Sequence, residues 1–125
     1  MKAIKTLLAF VFAFVAFNTA SAQSDKSERT PGLDTQSFKV YGECGMCKKR
    51  IEKAAITVDG LTSAVWNEDS KQLAVQYKTT QKDALDNLKK KMASIGHDTE
   101  AYAATDKAYQ NLPGCCHYKR KQTKQ

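Results

Sequence analysis

The order of apolar and polar residues along the chain predicts strands and helices in alternation. Residues 36–42 alternate, with Phe38 and Val40 on one face and polar side chains on the other, which is typical of a strand. After a short loop, apolar residues recur at helical spacing and predict a first helix that ends near residue 57. The apolar positions of this helix are Cys47, Ile51, Ala54 or Ala55, and Val58. Asp59-Gly60 then turns the chain.

Two alternating segments follow and predict a hairpin of a second and a third strand. The second strand begins at Leu61 and the third at Leu73, with the polar loop 67–71 between them. A second helix is predicted next, and Gly96 ends it. Its apolar face carries Leu85, Leu88, Met92 and Ile95. Residues 98–103 can form a fourth, shorter strand.

This order of elements predicts a ferredoxin-like α+β fold. A βαββαβ chain of this kind forms a four-stranded antiparallel sheet with both helices on one face. We expect this unit to occupy residues 36–103. Residues 23–35 are polar and are predicted to be a flexible linker. Residues 104–125, a basic tail that contains cysteine and histidine, fall outside the predicted unit.

The first 22 residues have the pattern of a secretory signal peptide. Two lysines precede an apolar run of 11 residues, 7–17, which is too short to span a bilayer. Ala20-Ser21-Ala22 then supplies the small residues of a cleavage site. We therefore expect cleavage near Gln23, export to the periplasm or outside the cell, and no stable membrane insertion afterwards. An uncleaved N-terminal anchor is the alternative.

The chain is basic, with a formal net charge of +7 that falls to +5 when the two lysines of the signal peptide are removed. Cationic residues concentrate at 48–53 and 89–91 and could steer an acidic partner. A solvated helix surface is the simpler explanation. Aromatic residues do not interleave with these charges as nucleic-acid binding requires, so we expect no nucleic-acid partner.

Four cysteines supply the candidate chemistry. Cys44 and Cys47 have the spacing at which two thiols can bind one metal ion or form a disulfide. Cys47 is predicted at the N-terminus of the first helix, where the helix dipole and unpaired N–H groups favour a thiolate. Thiolates select soft or borderline ions, so copper(I), zinc(II) and mercury(II) are the expected guests.

A thiol-disulfide oxidoreductase is the alternative use of Cys44 and Cys47. A thioredoxin-type site would need a cis-proline that faces the cysteines, and neither Pro31 nor Pro113 can serve in this order of elements. A structural zinc site would need four ligands, and the helix offers two. We therefore prefer metal binding. No residue is a candidate for catalysis, so we expect a binding protein and not an enzyme.

A second group of metal-binding residue types, Cys115-Cys116-His117, lies in the tail. Adjacent thiols with a histidine are typical of metal sites, so the group predicts a second site or additional ligands for the first. A disulfide, or a surface tail without a role, is the alternative. Adjacent cysteines are badly placed to brace a domain. We therefore expect metal binding and not a covalent staple, and expect residues 36–103 to fold without the tail.

Over residues 36–103 the chain resembles the heavy-metal-associated domain family, which includes small copper chaperones, the periplasmic mercury-binding protein and N-terminal modules of metal-transporting ATPases. The resemblance rests on Cys44-x-x-Cys47, Ile51-Glu52-x-Ala54, Gly60-Leu61, Val75-x-Tyr77 and Gly96-His97-Asp98. It implies a βαββαβ fold in which the thiolates of Cys44 and Cys47 hold the metal at one end of the sheet.

The expected function is capture and delivery of a soft metal ion, with copper(I) first and mercury(II), zinc(II) or cadmium(II) after it. Delivery would proceed by thiolate exchange to a metal-transporting membrane protein or another metal-binding domain. His97 stands where the family often has tyrosine or lysine beside the metal, and the resemblance implies that its imidazole could reach the ion. A solvent-facing loop histidine is the alternative. The family usually has Gly-Met-x before the first cysteine, whereas this chain has Tyr41-Gly42-Glu43 and carries Met46 inside the loop.

Overall fold

The computed structural model describes residues 30–120. The elements are β1 (Leu33–Lys39), α1 (Gly45–Ile56), β2 (Leu61–Trp66), β3 (Gln72–Lys78), α2 (Ala84–Ser94), α3 (Asp106–Gln110) and a 3-10 turn at Gly114–Cys116. The predicted signal peptide, most of the predicted linker and residues 121–125 lie outside the described residues. Within residues 30–120, no helix combines the length and the apolar character needed to cross a membrane.

The sheet has three antiparallel strands in the order β1-β3-β2, so β3 is the central strand. β1 pairs with β3 along its whole length and places Phe38 opposite Leu73. β2 pairs with the other edge of β3 and places Trp66 opposite the same leucine. These three large side chains are buried, so the hairpin and the first strand meet on one apolar face.

The first strand begins earlier than the alternation predicts. The prediction of a linker over residues 23–35 is wrong for Leu33–Thr35, because these residues pair with β3. The hydroxyl of Tyr77 donates to the Asp34 carboxylate at 3.1 Å, and the backbone N–H of Thr79 donates to the Gly32 carbonyl at 3.0 Å. Contacts with β3 therefore order a polar segment whose own sequence has no strand periodicity.

The predicted fourth strand is absent from the described part of the chain, and the four-stranded sheet is corrected to three strands. Within residues 98–103, one antiparallel bridge joins Thr99 to Val40. Beyond it the backbone turns on itself: the N–H of Thr99 donates to the Tyr102 carbonyl at 2.8 Å. The Thr99 hydroxyl accepts from the Tyr102 N–H at 2.9 Å. These local bonds use groups that a strand would offer to its neighbour, so pairing stops after one bridge.

Apolar residues from the sheet and from both predicted helices meet in one core, which confirms an α+β fold with two helices and a sheet. On α1, the buried residues Cys47, Ile51 and Ala55 are four positions apart and therefore share one face. The other members from the sheet and α2 are Phe38, Val40, Trp66, Leu73, Val75, Leu88 and Met92. Because α1 carries both Cys47 and this core face, packing of the helix fixes the position of the thiol.

The tail packs into the same core. Leu112, Cys116 and Tyr118 are only 4%, 0% and 3% exposed. Gly96 permits this approach, because a Cβ there would lie 2.6 Å from the Ala108 carbonyl oxygen and 2.9 Å from Leu112 Cγ. The expectation that the tail lies outside the packed unit is therefore wrong for its described part. That residues 36–103 fold without the tail stays a prediction.

Polar contacts hold the end of the tail to the segment that follows α2. Arg120 donates to both oxygens of the Asp98 carboxylate, each at 2.9 Å, and to the Ala104 carbonyl at 2.6 Å. The Tyr118 hydroxyl donates to the Gly96 carbonyl and accepts from the Asp98 N–H, both at 2.8 Å. These noncovalent bonds fasten the described part of the tail to the rest of the domain.

Candidate metal centre

The Cys-x-x-Cys loop lies where α1 begins. Cys44 is the residue before the first helical turn, in extended conformation, and Cys47 lies within that turn. This confirms the predicted placement of one thiol in a loop and one in the first turn. The two Sγ atoms are 3.7 Å apart. Cys47 is fully buried, whereas Cys44 is partly exposed.

Trp66 supports this loop from the core side. Its indole is fully buried, and Nε1 donates to the Val40 carbonyl at 3.0 Å. Gly42 leaves room for the ring, since a Cβ there would lie 3.0 Å from Trp66 Cζ2 and 3.2 Å from Cys47 Cβ. The indole therefore occupies the space beside Gly42, the position where the family pattern has a methionine. Met46 is instead half exposed.

A charged pair fastens α1 to the end of β2. The Glu52 carboxylate accepts from Lys48 Nζ at 2.6 Å and from the Trp66 N–H at 2.9 Å. Lys48 Nζ also donates to the Trp66 carbonyl at 2.6 Å. Burial alone would raise the pKa of Glu52, but these hydrogen bonds hold it below its usual value. Lys48 is thus engaged within the fold and is not a free charge beside the thiols.

The tail brings the other two cysteines onto this loop. Cys116 forms a disulfide with Cys47, with the Cα atoms 5.6 Å apart and a sequence separation of 69. Cys44 Sγ lies 2.7 Å from Cys115 Sγ and 4.0 Å from Cys116 Sγ. The expectation that the adjacent cysteines form no staple is therefore wrong. Only one of them bonds to Cys47, because the turn directs its neighbour towards Cys44.

Cys44 and Cys115 are the free thiols of this cluster. The hydrogen bond between the Cys44 and Cys115 sulfurs is the largest cause that lowers the pKa of Cys44, and the backbone N–H groups of Cys47 and Met46 lower it further. The same bond raises the pKa of Cys115. Cys44 therefore carries the thiolate more readily. Met46 adds a thioether to the cluster, with its Sδ 3.8 Å from Cys115 Sγ.

His97 is buried, so the alternative of a solvent-facing loop residue is wrong. Its Nδ1 lies 2.8 Å from the Tyr41 carbonyl oxygen, and because a carbonyl only accepts, Nδ1 carries the proton. Nε2 keeps its lone pair and has no hydrogen-bond partner among the described residues. Burial lowers the pKa of His97, which favours the neutral ring.

Residues 30–120 contain one group of at least three metal-binding side chains whose ligand atoms lie within 4.8 Å of one another: Cys44, Cys115 and Cys116. Neither histidine belongs to it. His117 is exposed and its ring lies 5.1 Å from the ring of Tyr109. Metal ligation by Cys44, Cys47, His97, Cys115, Cys116 or His117 stays a prediction.

Leu112, Tyr118 and Arg120 place the tail cysteines; packing of Leu112 and Tyr118 on the sheet is the outcome that the sequence favours less, and nothing in the sequence points to Arg120. Leu112 and Tyr118 stand in a segment without apolar periodicity, and Arg120 stands in a basic run that suggests a solvated end. The one available signal was the pair of apolar residues on either side of Cys115-Cys116, which would anchor that turn if both were buried.

Comparison with known proteins extends this description. The model of the heavy-metal-associated domain matches residues 39–98. The copper chaperone CopZ of Staphylococcus aureus (strain bovine RF122 / ET3-1) is 38% identical over 55 residues, which cover 44% of this chain and 79% of CopZ. A solved structure of a CopZ metallochaperone is 34% identical with a TM-score of 0.49, and covers 53% of this chain and 98% of that one.

A solution structure from Bacillus anthracis str. Ames is 17% identical with a TM-score of 0.51, and covers 57% of this chain and all of that one. At this identity the likeness shows a shared fold. The identity to CopZ over most of the length of that relative, together with the matched domain model, places this chain in the heavy-metal-associated domain family.

Proposed function

We propose that this protein is an exported carrier that captures a soft metal ion through Cys44 and Cys47 and passes it on by thiolate exchange. Copper(I) is the first choice, and mercury(II), zinc(II) and cadmium(II) follow. The observation that carries the proposal is the pair of Sγ atoms 3.7 Å apart at the start of α1, in a chain related to a copper chaperone. Sulfur ligands select ions of this class.

Capture by both thiols requires Cys47 in its reduced form, because its sulfur is otherwise bonded to Cys116. Cys44 is the accessible thiol and its lowered pKa makes it the first ligand. In transfer, an incoming thiolate would bind the ion while one protein cysteine leaves. A low coordination number allows this exchange to be fast even when the affinity is high.

The proposed acceptor is a metal-transporting membrane protein or another metal-binding domain that offers thiolates. Lys49 and Lys53 are exposed on α1, the helix that begins at the site, so an acidic surface on the acceptor would orient its approach. The proposed place is the periplasm or the cell exterior, on the strength of the signal-peptide pattern.

The test is an anaerobic titration of the reduced protein with copper(I) against a competing chelator. Cys44→Ser and Cys47→Ser should each lower the affinity more than about 100-fold, which exceeds the effect typical of losing a residue that only hydrogen-bonds to a metal ligand. Ala74→Ser, on an exposed position of β3, serves as the matched control and should leave the affinity unchanged. Unchanged affinity in a variant that lacks both thiols would overturn the assignment.

A thiol-disulfide oxidoreductase is the second candidate, favoured by the Cys47–Cys116 disulfide with two free thiols beside it. The assay is turnover of a disulfide-containing peptide by catalytic amounts of the protein in a glutathione redox buffer. A carrier should not accelerate the exchange beyond the buffer alone. Multiple turnovers that need Cys44 would favour the oxidoreductase.

A further inference from the structure

We propose that Cys115 and Cys116 are metal ligands that complete, with Cys44 and Cys47, one four-sulfur site. We also propose that the Cys47–Cys116 disulfide prevents metal binding at this site. This inference rests on the proposed function, because it concerns the same metal centre. It adds a higher coordination number and a redox condition for binding. The domain match ends at residue 98, so the two tail cysteines lie beyond the shared part of the family.

The first observation that supports a shared site is the spacing of the sulfur atoms. Cys44 Sγ lies 3.7 Å from Cys47 Sγ and 4.0 Å from Cys116 Sγ. Sulfurs at a zinc–sulfur distance of about 2.3 Å lie about 3.8 Å apart on the edges of a tetrahedron and about 4.6 Å apart across a linear ion. These two separations match the edges of a site with three or four thiolates, whereas the bonded sulfurs of Cys47 and Cys116 must move apart after reduction to reach the same spacing. Cys115, whose Sγ is closer at 2.7 Å, has an exposed side chain that is free to rotate outward.

The second observation is that noncovalent contacts hold the tail in place. Leu112 and Tyr118 are buried in the core, and Arg120 holds the Asp98 carboxylate with two hydrogen bonds. None of these contacts involves sulfur. Reduction of the disulfide therefore leaves the tail docked, with both of its thiols over the start of α1.

The opening step is a thiol-disulfide exchange with an external dithiol. The sulfur–sulfur bond between Cys47 and Cys116 breaks, each sulfur takes up a proton, and the external dithiol loses two electrons and two protons to become a disulfide. The metal ion then displaces protons from the thiols that it binds, and these protons pass to solvent. Oxidation of Cys47 and Cys116 by a disulfide-bearing oxidant reverses the process and leaves only two free thiols.

The expected ligand is a thiophilic ion that accepts at least three thiolates, for which cadmium(II) is the probe because its bonds to sulfur absorb in the ultraviolet. The reduced wild-type protein should bind one ion with four sulfurs by X-ray absorption. A Cys115→Ser/Cys116→Ala variant should retain two sulfurs and bind at least about tenfold more weakly, as expected when ligands are lost. Alanine is chosen at position 116 because the side chain is buried there.

Lys119→Ser, at an exposed neighbour, is the matched control and should behave as wild type. Thermal unfolding of the reduced, metal-free proteins checks that the tail variant remains folded. If it does not, Cys115→Ser alone, at an exposed position, should still lower the sulfur count by one. The oxidised wild-type protein should bind more than about 100-fold more weakly, and dithiothreitol should restore the affinity.

The outcomes separate this inference from the proposed function. Equal sulfur counts in the wild-type and tail variants, with binding lost only in the Cys44→Ser/Cys47→Ser variant, would overturn the four-sulfur site and leave the carrier function intact. Binding that survives in both variants would overturn both. Equal metal affinity of the oxidised and reduced wild-type proteins would show that the disulfide does not prevent metal binding.

Discussion

Cys47 and Cys116 are bonded to each other and both are fully buried, although 69 positions separate them along the chain. One proposed metal ligand therefore lies inside the core, beneath a tail that the sequence pattern predicts to lie outside the folded unit. Access to its sulfur depends on the redox state of this bond and on the docking of the tail. Cys44, partly exposed at the start of α1, does not share this constraint.

Reduction of this disulfide should lower the free energy of unfolding by about 4 kcal/mol, since the bond closes a loop of about 70 residues and restricts the unfolded chain. Urea denaturation in the presence and absence of dithiothreitol measures the difference. Cys115→Ser, which removes a thiol outside the disulfide, should respond to reductant as the wild type does. Identical curves in both conditions would contradict the pairing.

Arg120→Gln should destabilise the reduced protein by about 2 kcal/mol, because charged hydrogen bonds to the partly buried Asp98 carboxylate are lost. It should also loosen the tail and speed alkylation of Cys116. Urea denaturation and mass spectrometry of the labelled protein measure the two effects. Lys119→Gln, at the exposed neighbouring position, should change neither. A stable variant in which Cys116 stays protected would show that Arg120 does not hold the tail.

Local features of the chain predicted the start of α1 correctly. The spacing of Cys47, Ile51 and Ala55 defines a helix face, and the loop before it follows from the same pattern. Such signals lie within a few turns of chain and need no knowledge of distant residues. The same kind of signal failed at residues 98–103, because a side-chain hydroxyl, that of Thr99, turns the backbone before a strand can form.

The tail contacts could not be predicted because they depend on residues far apart in sequence. Leu112 meets Gly96 and Arg120 meets Asp98, and neither pair leaves a periodic pattern. The run Cys115-Cys116-His117 was recognised as chemically unusual, but its position over Cys44 follows only from those contacts. The placement of Cys44 and Cys47 at the start of α1 could thus be predicted from the sequence, whereas the placement of Cys115 and Cys116 over them could not.

Gly96→Ala should test the packing of the tail by sterics alone. The residue has a φ of +102°, which side chains rarely adopt, and its Cβ would lie 2.6 Å from the Ala108 carbonyl oxygen. We expect a loss of about 2 kcal/mol or more, from backbone strain and displacement of α3. Gly114→Ala is the control, because its Cβ would meet nothing within 4 Å. Equal melting temperatures for the two variants would contradict this packing.

The last prediction concerns the pH dependence of stability. Burial lowers the pKa of His97 in the folded protein, whereas an unfolded histidine titrates near about 6.5. Below that pH the unfolded chain takes up a proton that the folded one resists, so the stability present above pH 6.5 falls as the pH decreases. Between pH 7.5 and 5.5 the loss from this one residue is at most about 1.4 kcal/mol, the limit set by the unfolded pKa of about 6.5.

Urea denaturation of the reduced, metal-free protein at these two pH values measures the loss. His97→Gln keeps an N–H donor for the Tyr41 carbonyl but does not titrate, so its stability should fall less than that of the wild type over the same range. Ala74→Ser, which introduces no titratable group at an exposed position of β3, should retain the full dependence. If the stability of His97→Gln depended on pH as strongly as that of the wild type, protonation of the buried ring would not oppose folding. In that case Nε2 would form a hydrogen bond or ion pair when the pH is lowered.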